Sequence, residues 1–229
     1  LLIDDADVLV EGFRPGVMAR LGFDYSAVAA RNPGIVYCSV SAFGQTGAMA
    51  LHPAHDLAVQ AHAGFLSVND GRDGIPVVPG VPSADMAAGL TGLAAVLMAL
   101  IGRQATGKGD YLDIAMFDSL LPWCAHIAGG AIASGPTPVS QTQRSLGGAG
   151  FYQVYRTADD LHVVLGGRET EFATNLRTAL ERPDLIPLAE NPAGEQGELI
   201  AFLAATFAAR TRAEWECWFA DKDVAFAPV

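Results

Sequence analysis

The fold is indicated first by the sequence IVYCSVSAFGQTG, residues 35–47. Its first part, Ile35 to Ser41, is rich in β-branched and aromatic residues, a composition that predicts a strand. Its second part contains Gly44 and Gly47 and predicts a loop. A strand that runs directly into a glycine-containing loop is a common way to bring backbone N–H groups to a ligand. Upstream, the apolar run Val8 to Val10 predicts a second buried strand.

Downstream, the uncharged segment Met86 to Gly102 predicts a long apolar helix that begins at Asp85. The segment is at the short limit for a membrane span and contains three glycines, so we expect a buried core helix. Asp56 to Val68 has apolar residues at helical spacing, and Tyr111 to Met116 predicts a further strand. Alternating strands and helices predict an α/β fold with mostly parallel strands.

The composition changes at residues 134–150, which are rich in Gly, Ser, Thr and Pro and predict a linker. We expect residues 1–133 to be part of a large α/β domain and residues 151–229 to form a smaller α+β domain. The chain begins with Leu1 rather than Met, and we interpret it as an internal piece of a longer protein. In the smaller domain the sequence predicts a hairpin of 151–157 with 161–165, and helices near 169–181, 195–209 and 212–220, the last with a Thr211/Glu214 capping box.

The bulk composition excludes several classes of function. Only 17% of residues are charged and 51% are hydrophobic, which argues against disorder. A net charge of −11 disfavours nucleic acid and anionic membranes as partners. Cys38, Cys124 and Cys217 lie too far apart for a paired metal site or a disulfide framework, so we expect no metal and a cytoplasmic protein.

Three acidic or basic side chains are candidates for catalysis. Asp85 has a structural interpretation as a helix N-cap, and a functional one as a nucleophile kept ionised by the helix N-terminus. His55 lies at a loop edge, where an imidazole can transfer protons near neutral pH, although a lone histidine is more often structural. Asp56 is interpreted as an N-cap or structural acceptor. Glu169 follows a glycine pair and is either a first-turn helix residue or a carboxylate presented by that loop.

Other charged residues give weaker signals. Arg14 and Arg20 flank a turn and a helix; their default interpretation is a solvated surface charge, and the alternative is a phosphate contact. No phosphate-binding loop of the type G-x-x-x-x-G-K-[ST] is present. The other four histidines, His52, His62, His126 and His162, are interpreted as structural or exposed.

Several segments, in order along nearly the whole chain, resemble family III CoA-transferases and the related 2-methylacyl-CoA racemases. The resemblance is carried by residues 6–16 (ADVLVEGFRPG), 36–39 with 43–47, 55–57 (HDL), 85–89 (DMAAG), 106–109 with 113–116, and 155–159 (YRTAD).

The resemblance implies a Rossmann-like large domain, incomplete here, a smaller domain, and a homodimer of interlocked rings. It also implies acyl-CoA as substrate, with a carboxylic acid as a further partner. Asp85 matches the family's catalytic aspartate. The residues matched to segments bordering coenzyme A are Gly12, Phe13, Arg14, Arg20, Ala54, His55 and Asp56.

Two reactions and one binding role stay open on these residues. In CoA transfer, Asp85 attacks the thioester and carries the acyl and CoA groups in turn. In racemisation, His55, Asp85 and Glu169 exchange the proton α to the thioester. The glycine-containing loop before Asp85 and the Gly166-Gly167 pair favour transfer. The third alternative is an acyl-CoA-binding protein without catalysis.

Overall fold

The computed structural model describes residues 2–71, 73–167 and 169–229, which divide into two compact units, Leu1–Gly135 and Pro136–Val229. The second unit takes in most of the segment predicted as a linker, and Ser140 and Ala149 of that segment are buried. Cys38, Cys124 and Cys217 are free thiols, the first two buried.

The first unit is built around a three-stranded parallel sheet, which confirms the prediction of parallel strands. Its strand order is β1-β2-β3, with Val10 opposite Cys38 and Cys38 opposite Leu112. The strands are β1 (Val8–Glu11), β2 (Val36–Ser41) and β3 (Tyr111–Ala115), and the α-helices are α1 (Val17–Leu21), α2 (Tyr25–Arg31), α3 (Asp56–His62), α4 (Ser83–Thr106), α5 (Met116–Leu120) and α6 (Ala125–Ser134).

Two predicted helix boundaries are wrong. The helix α4 begins at Ser83, its N-cap is Pro82, and Asp85 is its third residue rather than its first. The predicted helix from Asp56 to Val68 ends at His62, because Gly64 adopts a left-handed conformation with φ of 78°. A short 3₁₀ helix, Leu66–Val68, follows.

The expectation of a buried core helix holds for one face of α4 only. Its buried positions carry small residues, which allow close approach to the sheet: a Cβ at Gly92 would lie 3.8 Å from Cys38 Sγ. The opposite face is long, apolar and exposed in this unit. By length and composition α4 is also able to cross a membrane, although a core helix passes the same test. The buried residues are Ser83, Ala84, Ala87, Ala88 and Gly92, and the exposed ones include Met86, Leu90, Leu93, Leu97, Met98 and Ile101.

The second unit has a three-stranded antiparallel sheet of order β4-β5-β6. The predicted hairpin and three predicted helices are present. The capping box between Thr211 and Glu214 is confirmed. The strands are β4 (Gln153–Arg156), β5 (His162–Leu165) and β6 (Phe226–Pro228), and the α-helices are α7 (Thr170–Ala179), α8 (Ile186–Glu190), α9 (Gly197–Phe207) and α10 (Arg212–Phe219).

The core of the second unit is aromatic. The Phe207 ring stacks on Tyr155 at 5.0 Å and lies 5.0 Å from Trp215, while Phe219 stacks on Phe226 at 4.1 Å. The buried Tyr155 hydroxyl donates to Gly150 O, and the Trp215 ring N–H donates to Phe207 O. Both polar atoms are therefore satisfied inside the core.

Candidate active site

A cavity of about 1060 Å³ lies at the carboxyl ends of the three parallel strands of the first unit. Gly12 and Phe13 follow β1, Ser41 ends β2, and Met116 follows β3, and all four line the cavity. Ligands of open α/β sheets bind at this edge, because the loops that leave the strands converge there. The cavity is therefore where the fold itself predicts a binding site.

Six of the nine residues predicted for the site meet in this cavity. They come from the turn after β1, the loop before α3 and the first turn of α4, and they are Gly12, Phe13, Arg14, Ala54, His55 and Asp85. Their chemical roles stay predictions.

The remaining three lie elsewhere. Arg20 is in the last turn of α1, and Asp56 begins α3 with its side chain directed to another helix. Glu169 belongs to the second unit, where it immediately precedes α7. The structure does not bring these three to the wall of the cavity described in the first unit.

Asp56 caps α4 from outside that helix. Its Oδ1 accepts the backbone N–H groups of Ala84, at 2.8 Å, and of Asp85, at 3.2 Å. Its Oδ2 accepts from Nε2 of the buried Gln60, at 2.6 Å. Because Pro82 has no side chain able to cap the helix, Asp56 takes over that function. The alternative of a structural acceptor is therefore confirmed for Asp56.

The pKa of Asp85 is raised, first by desolvation, second by the neighbouring Asp56 carboxylate, and against an opposing effect of His55. That its carboxylate stays ionised as a nucleophile remains a prediction. The Asp56 carboxylate, which accepts the Asp85 N–H, is thus also a like charge beside the Asp85 side chain. A carboxylate with a raised pKa is more basic, and therefore a stronger nucleophile once ionised.

The loop after β2 is held by a carboxylate of β3. Asp113 accepts the Gln45 N–H with both oxygens, at 3.1 and 2.9 Å, while Gly44 adopts φ of 82°. The Phe43 ring then packs 5.9 Å from His52 and 5.5 Å from His62. This loop supports His52, which lines the cavity.

Two further contacts fix the turn after β1, which lines the cavity. Arg14 Nη2 donates to Leu51 O at 2.6 Å, which joins the turn after β1 to the loop before α3. The buried Glu11 accepts the Phe13 N–H at 2.8 Å and fixes the same turn. Phe13 is 53% exposed, so an aromatic face is available to a ligand at this point.

Sequence reasoning missed His52, Ser41 and the apolar wall. His52 is exposed, as the sequence interpretation allowed, and it also lines the cavity with His55. Its place in the loop that contains His55 was the available signal. Of the apolar wall, Leu57, Ala58 and Ala61 follow from the helical spacing of α3, and Leu66 comes from the 3₁₀ helix after it. In the described part of the chain, no group of three or more His, Cys, Asp or Glu side chains is arranged to hold a metal.

Comparison with known proteins places this geometry in context. An acetyl-CoA:oxalate CoA-transferase of Acetobacter aceti is 38% identical over 172 residues, which is 75% of this chain and 44% of that protein. A succinyl-CoA:glutarate CoA-transferase of Mus musculus is 29% identical over 228 residues, 97% of this chain and 52% of that protein. The chain thus spans about half the length of the curated relatives that it matches.

A solved structure and a family profile agree with these relatives. The crystal structure of a CAIB/BAIF family protein from Brucella suis superposes with a TM-score of 0.78 at 28% identity, covering 100% of this chain and 61% of that one. The mixed α/β architecture is shared with that structure. The sequence also matches CoA-transferase family III over residues 1–229. The resemblance inferred from the motifs is therefore confirmed, and the chain belongs to CoA-transferase family III.

Proposed function

We propose that the protein transfers coenzyme A between carboxylic acids through covalent intermediates on Asp85. The observation that carries the proposal is the position of Asp85, in the first turn of α4 and on the wall of a cavity at the carboxyl edge of a parallel sheet. Relatives named as acetyl-CoA:oxalate and succinyl-CoA:glutarate CoA-transferases support this reaction class. Coenzyme A would enter as the acyl-CoA substrate, bordered by Gly12, Phe13 and Arg14.

In the first half-reaction, an Asp85 carboxylate oxygen attacks the thioester carbonyl and the carbon–sulfur bond breaks. The products are a mixed anhydride of Asp85 with the donor acid and a CoA thiolate. The thiolate then attacks the Asp85 carbonyl carbon and releases the donor carboxylate. Asp85 is left as a CoA thioester, and no proton is gained or lost overall.

In the second half-reaction, the acceptor carboxylate attacks the Asp85 thioester and expels the CoA thiolate. The thiolate then attacks the acceptor carbonyl of the new anhydride. The acceptor leaves as acyl-CoA, and Asp85 returns to a free carboxylate. Each tetrahedral oxyanion would require N–H donors for its stabilisation.

The raised pKa of Asp85 supports this sequence of steps. Partial desolvation and repulsion from the Asp56 charge both disfavour the ionised carboxylate, which makes it more basic and more nucleophilic. Conversion to an anhydride or a thioester removes that negative charge. The Asp85 environment therefore favours the neutral covalent intermediates over the free carboxylate.

An oxygen label tests the mechanism directly. With the acceptor acid labelled by ¹⁸O in its carboxylate, each turnover leaves one labelled oxygen on Asp85. The next donor then departs with an oxygen from Asp85. We therefore expect ¹⁸O in the Asp85 peptide and in the released donor acid, measured by mass spectrometry on the full-length protein. Transfer without any label on Asp85 would contradict the proposal.

A matched pair of variants localises the chemistry. Asp85→Asn should lower the transfer rate by at least about 10³-fold, because the nucleophile is lost. Asp118→Asn, which changes an exposed aspartate in the first turn of α5, should leave the rate unchanged. Full transfer activity in Asp85→Asn would exclude Asp85 as the nucleophile.

Racemisation is the second candidate, and the presence of His55 and Asp85 in one cavity favours it. It requires the two side chains to exchange a proton at the carbon α to the thioester, with Glu169 as a further predicted participant. Incubation of 2-methylacyl-CoA in heavy water without an acceptor acid distinguishes the two reactions. Deuterium at the α-carbon supports racemisation. Binding of CoA with neither deuterium incorporation nor transfer indicates a binding protein.

A further inference from the structure

The second unit contains a separate cavity of about 420 Å³ that the proposed reaction does not use. Its volume falls within the lower part of the range found for small-molecule sites. Its walls come from the loop before β4, from α7, and from the end of α8 with the segment after it. The cavity therefore has the size for a small ligand.

A buried glutamine holds two of these walls together. The Gln196 Oε1 accepts the Gly150 N–H at 3.0 Å, and its Nε2 donates to Asn191 O at 2.7 Å and to Ala189 O at 3.2 Å. Gln196 is only 6% exposed. Its side chain thus joins the loop before β4 to the segment after α8, and the cavity is shaped before any ligand binds.

The charge on the walls is positive although the second unit as a whole is acidic. The Arg177 side chain is 2% exposed, and its Nη2 donates to Thr174 Oγ1 at 3.0 Å. The exposed Arg144 also lines the cavity, and Glu190 contributes one negative charge. Burial lowers the pKa of Arg177, while Glu190 opposes that shift. Two guanidinium groups against one carboxylate leave a net positive charge.

The first turn of α7 adds to this potential. Thr170, the first residue of this ten-residue helix, lines the cavity, and so does Ala173 one turn later. The first-turn N–H groups of a helix have no partners within it and carry the positive end of its dipole. A buried arginine, a second arginine and a helix N-terminus therefore converge on one small space.

We propose that this cavity binds a short-chain carboxylate. A guanidinium group matches the two oxygens of a carboxylate, and the fork geometry gives two parallel hydrogen bonds. Phe151, Ala173 and Pro192 supply an apolar wall for a short carbon chain. This combination fits an anionic head with a small apolar body better than it fits inorganic phosphate, which has no apolar part.

The inference rests on residues of the second unit and does not require Asp85 or its proposed chemistry. A carboxylate acceptor would also enter the cavity of the first unit, so the test must separate the two locations. Propionate, propionamide and phosphate are titrated into the full-length protein without CoA, and binding is measured by calorimetry and by thermal shift. The variants are Arg144→Gln and Arg177→Gln for this cavity, and Arg14→Gln for the first unit.

We expect propionate to bind and to raise the melting temperature, while propionamide and phosphate bind at least tenfold more weakly. Arg144→Gln should weaken propionate binding about tenfold, the loss of one charged hydrogen-bonding group. Arg182→Gln, the matched control, removes an exposed arginine paired with Asp184 and should leave the affinity unchanged. Arg177→Gln should weaken binding further; if it fails to fold, Arg144→Gln still decides.

Three outcomes would overturn the proposal. They are equal affinity for propionate and propionamide, tighter binding of phosphate than of propionate, and a loss of binding in Arg14→Gln instead of Arg144→Gln. None of them bears on Asp85. A protein that transfers CoA through Asp85 yet shows any of these results would refute this site alone.

Discussion

The cores of the two units are built from different types of side chain. The second unit packs aromatic side chains against one another, among them Phe207, Trp215 and Phe219. The first unit packs α4 on its sheet through Ala84, Ala87 and other small residues, while the long side chains of α4 face outward. Small residues let α4 approach the sheet closely, and this close packing positions Asp85 at the cavity. Aromatic residues instead give a core with larger contact areas.

The largest effect is expected when a ring is removed from the aromatic core of the second unit. Phe207→Ala should lower the free energy of unfolding of the second unit by about 4 kcal/mol, because a fully buried ring leaves a cavity among its neighbours. Hydrogen exchange resolved by segment measures the loss. Phe13→Ala, at a half-exposed phenylalanine of the first unit, is the control and should cost far less. Equal losses of unfolding free energy in the two variants would show that the buried aromatic cluster does not stabilise the second unit more than an exposed ring stabilises the first.

In the first unit the corresponding weak point is a glycine. A Cβ at Gly109 would overlap the backbone of Ile35 and Gly34. Gly109→Ala should therefore cost about 3 kcal/mol, as overpacking against backbone does. Gly102→Ala, inside α4 with open space around its Cα, should instead stabilise by about 0.5–1 kcal/mol. Denaturant unfolding of both variants gives the comparison, and a neutral Gly109→Ala would contradict the close approach.

The cap of α4 should contribute less than either core. Asp56→Ala should destabilise the start of α4 by about 1.5 kcal/mol, because two N–H groups lose their acceptor. It should also lower the pKa of Asp85, since the Asp56 charge raises it. Asp24→Ala, the N-cap of α2, is the matched variant and should affect only that helix. If NMR titration shows the same pKa of Asp85 in Asp56→Ala as in the parent, the Asp56 charge does not raise that pKa.

A smaller effect should depend on pH. The folded-state pKa of Asp85 is raised, so the folded protein favours the protonated form and its stability falls as pH rises through the aspartate range. Asp85→Asn mimics the neutral form and should be more stable than the parent at neutral pH. The difference should vanish at pH values below the ordinary range of aspartate. Thermal unfolding across pH checks the sign, and Asp118→Asn serves as the control.

The smallest effect is expected on the exposed face of α4. Leu97→Gln should change the free energy of unfolding by less than about 0.5 kcal/mol, because Leu97 is 52% exposed in the first unit. The fully buried Leu120→Gln is the contrasting variant and should be strongly destabilising. A large loss in Leu97→Gln would show that this face is packed in the protein in solution.

Local sequence patterns predicted the secondary-structure elements whose formation depends on neighbouring residues. The β-rich run through Cys38 predicted β2, and the spacing of Thr211 and Glu214 predicted a capping box that is present. Asp85 and His55 were predicted as site residues from loop position and family resemblance, and both line one cavity. The strand and capping-box signals lie within a few residues of one another, where sequence alone is informative.

Relations across long stretches of chain were not predictable in this way. The cap of α4 comes from Asp56, 28 residues before Ala84, and it changes both the start of that helix and the pKa of Asp85. The outward face of α4 was missed because a run of uniformly apolar residues does not reveal which side packs. Arg177 gave no sequence signal, since its burial depends on how α7 meets the segment after α8.

The hydrogen bonds from Gln45 N–H to Asp113 span 68 residues of sequence. Contacts of such separation form slowly, because a long stretch of chain must be ordered before they add stability. The loop after β2 can therefore reach its final conformation only after β3 has paired with β2. During synthesis the cavity wall would be assembled late, and a nascent chain that has not reached Asp113 would lack a competent site.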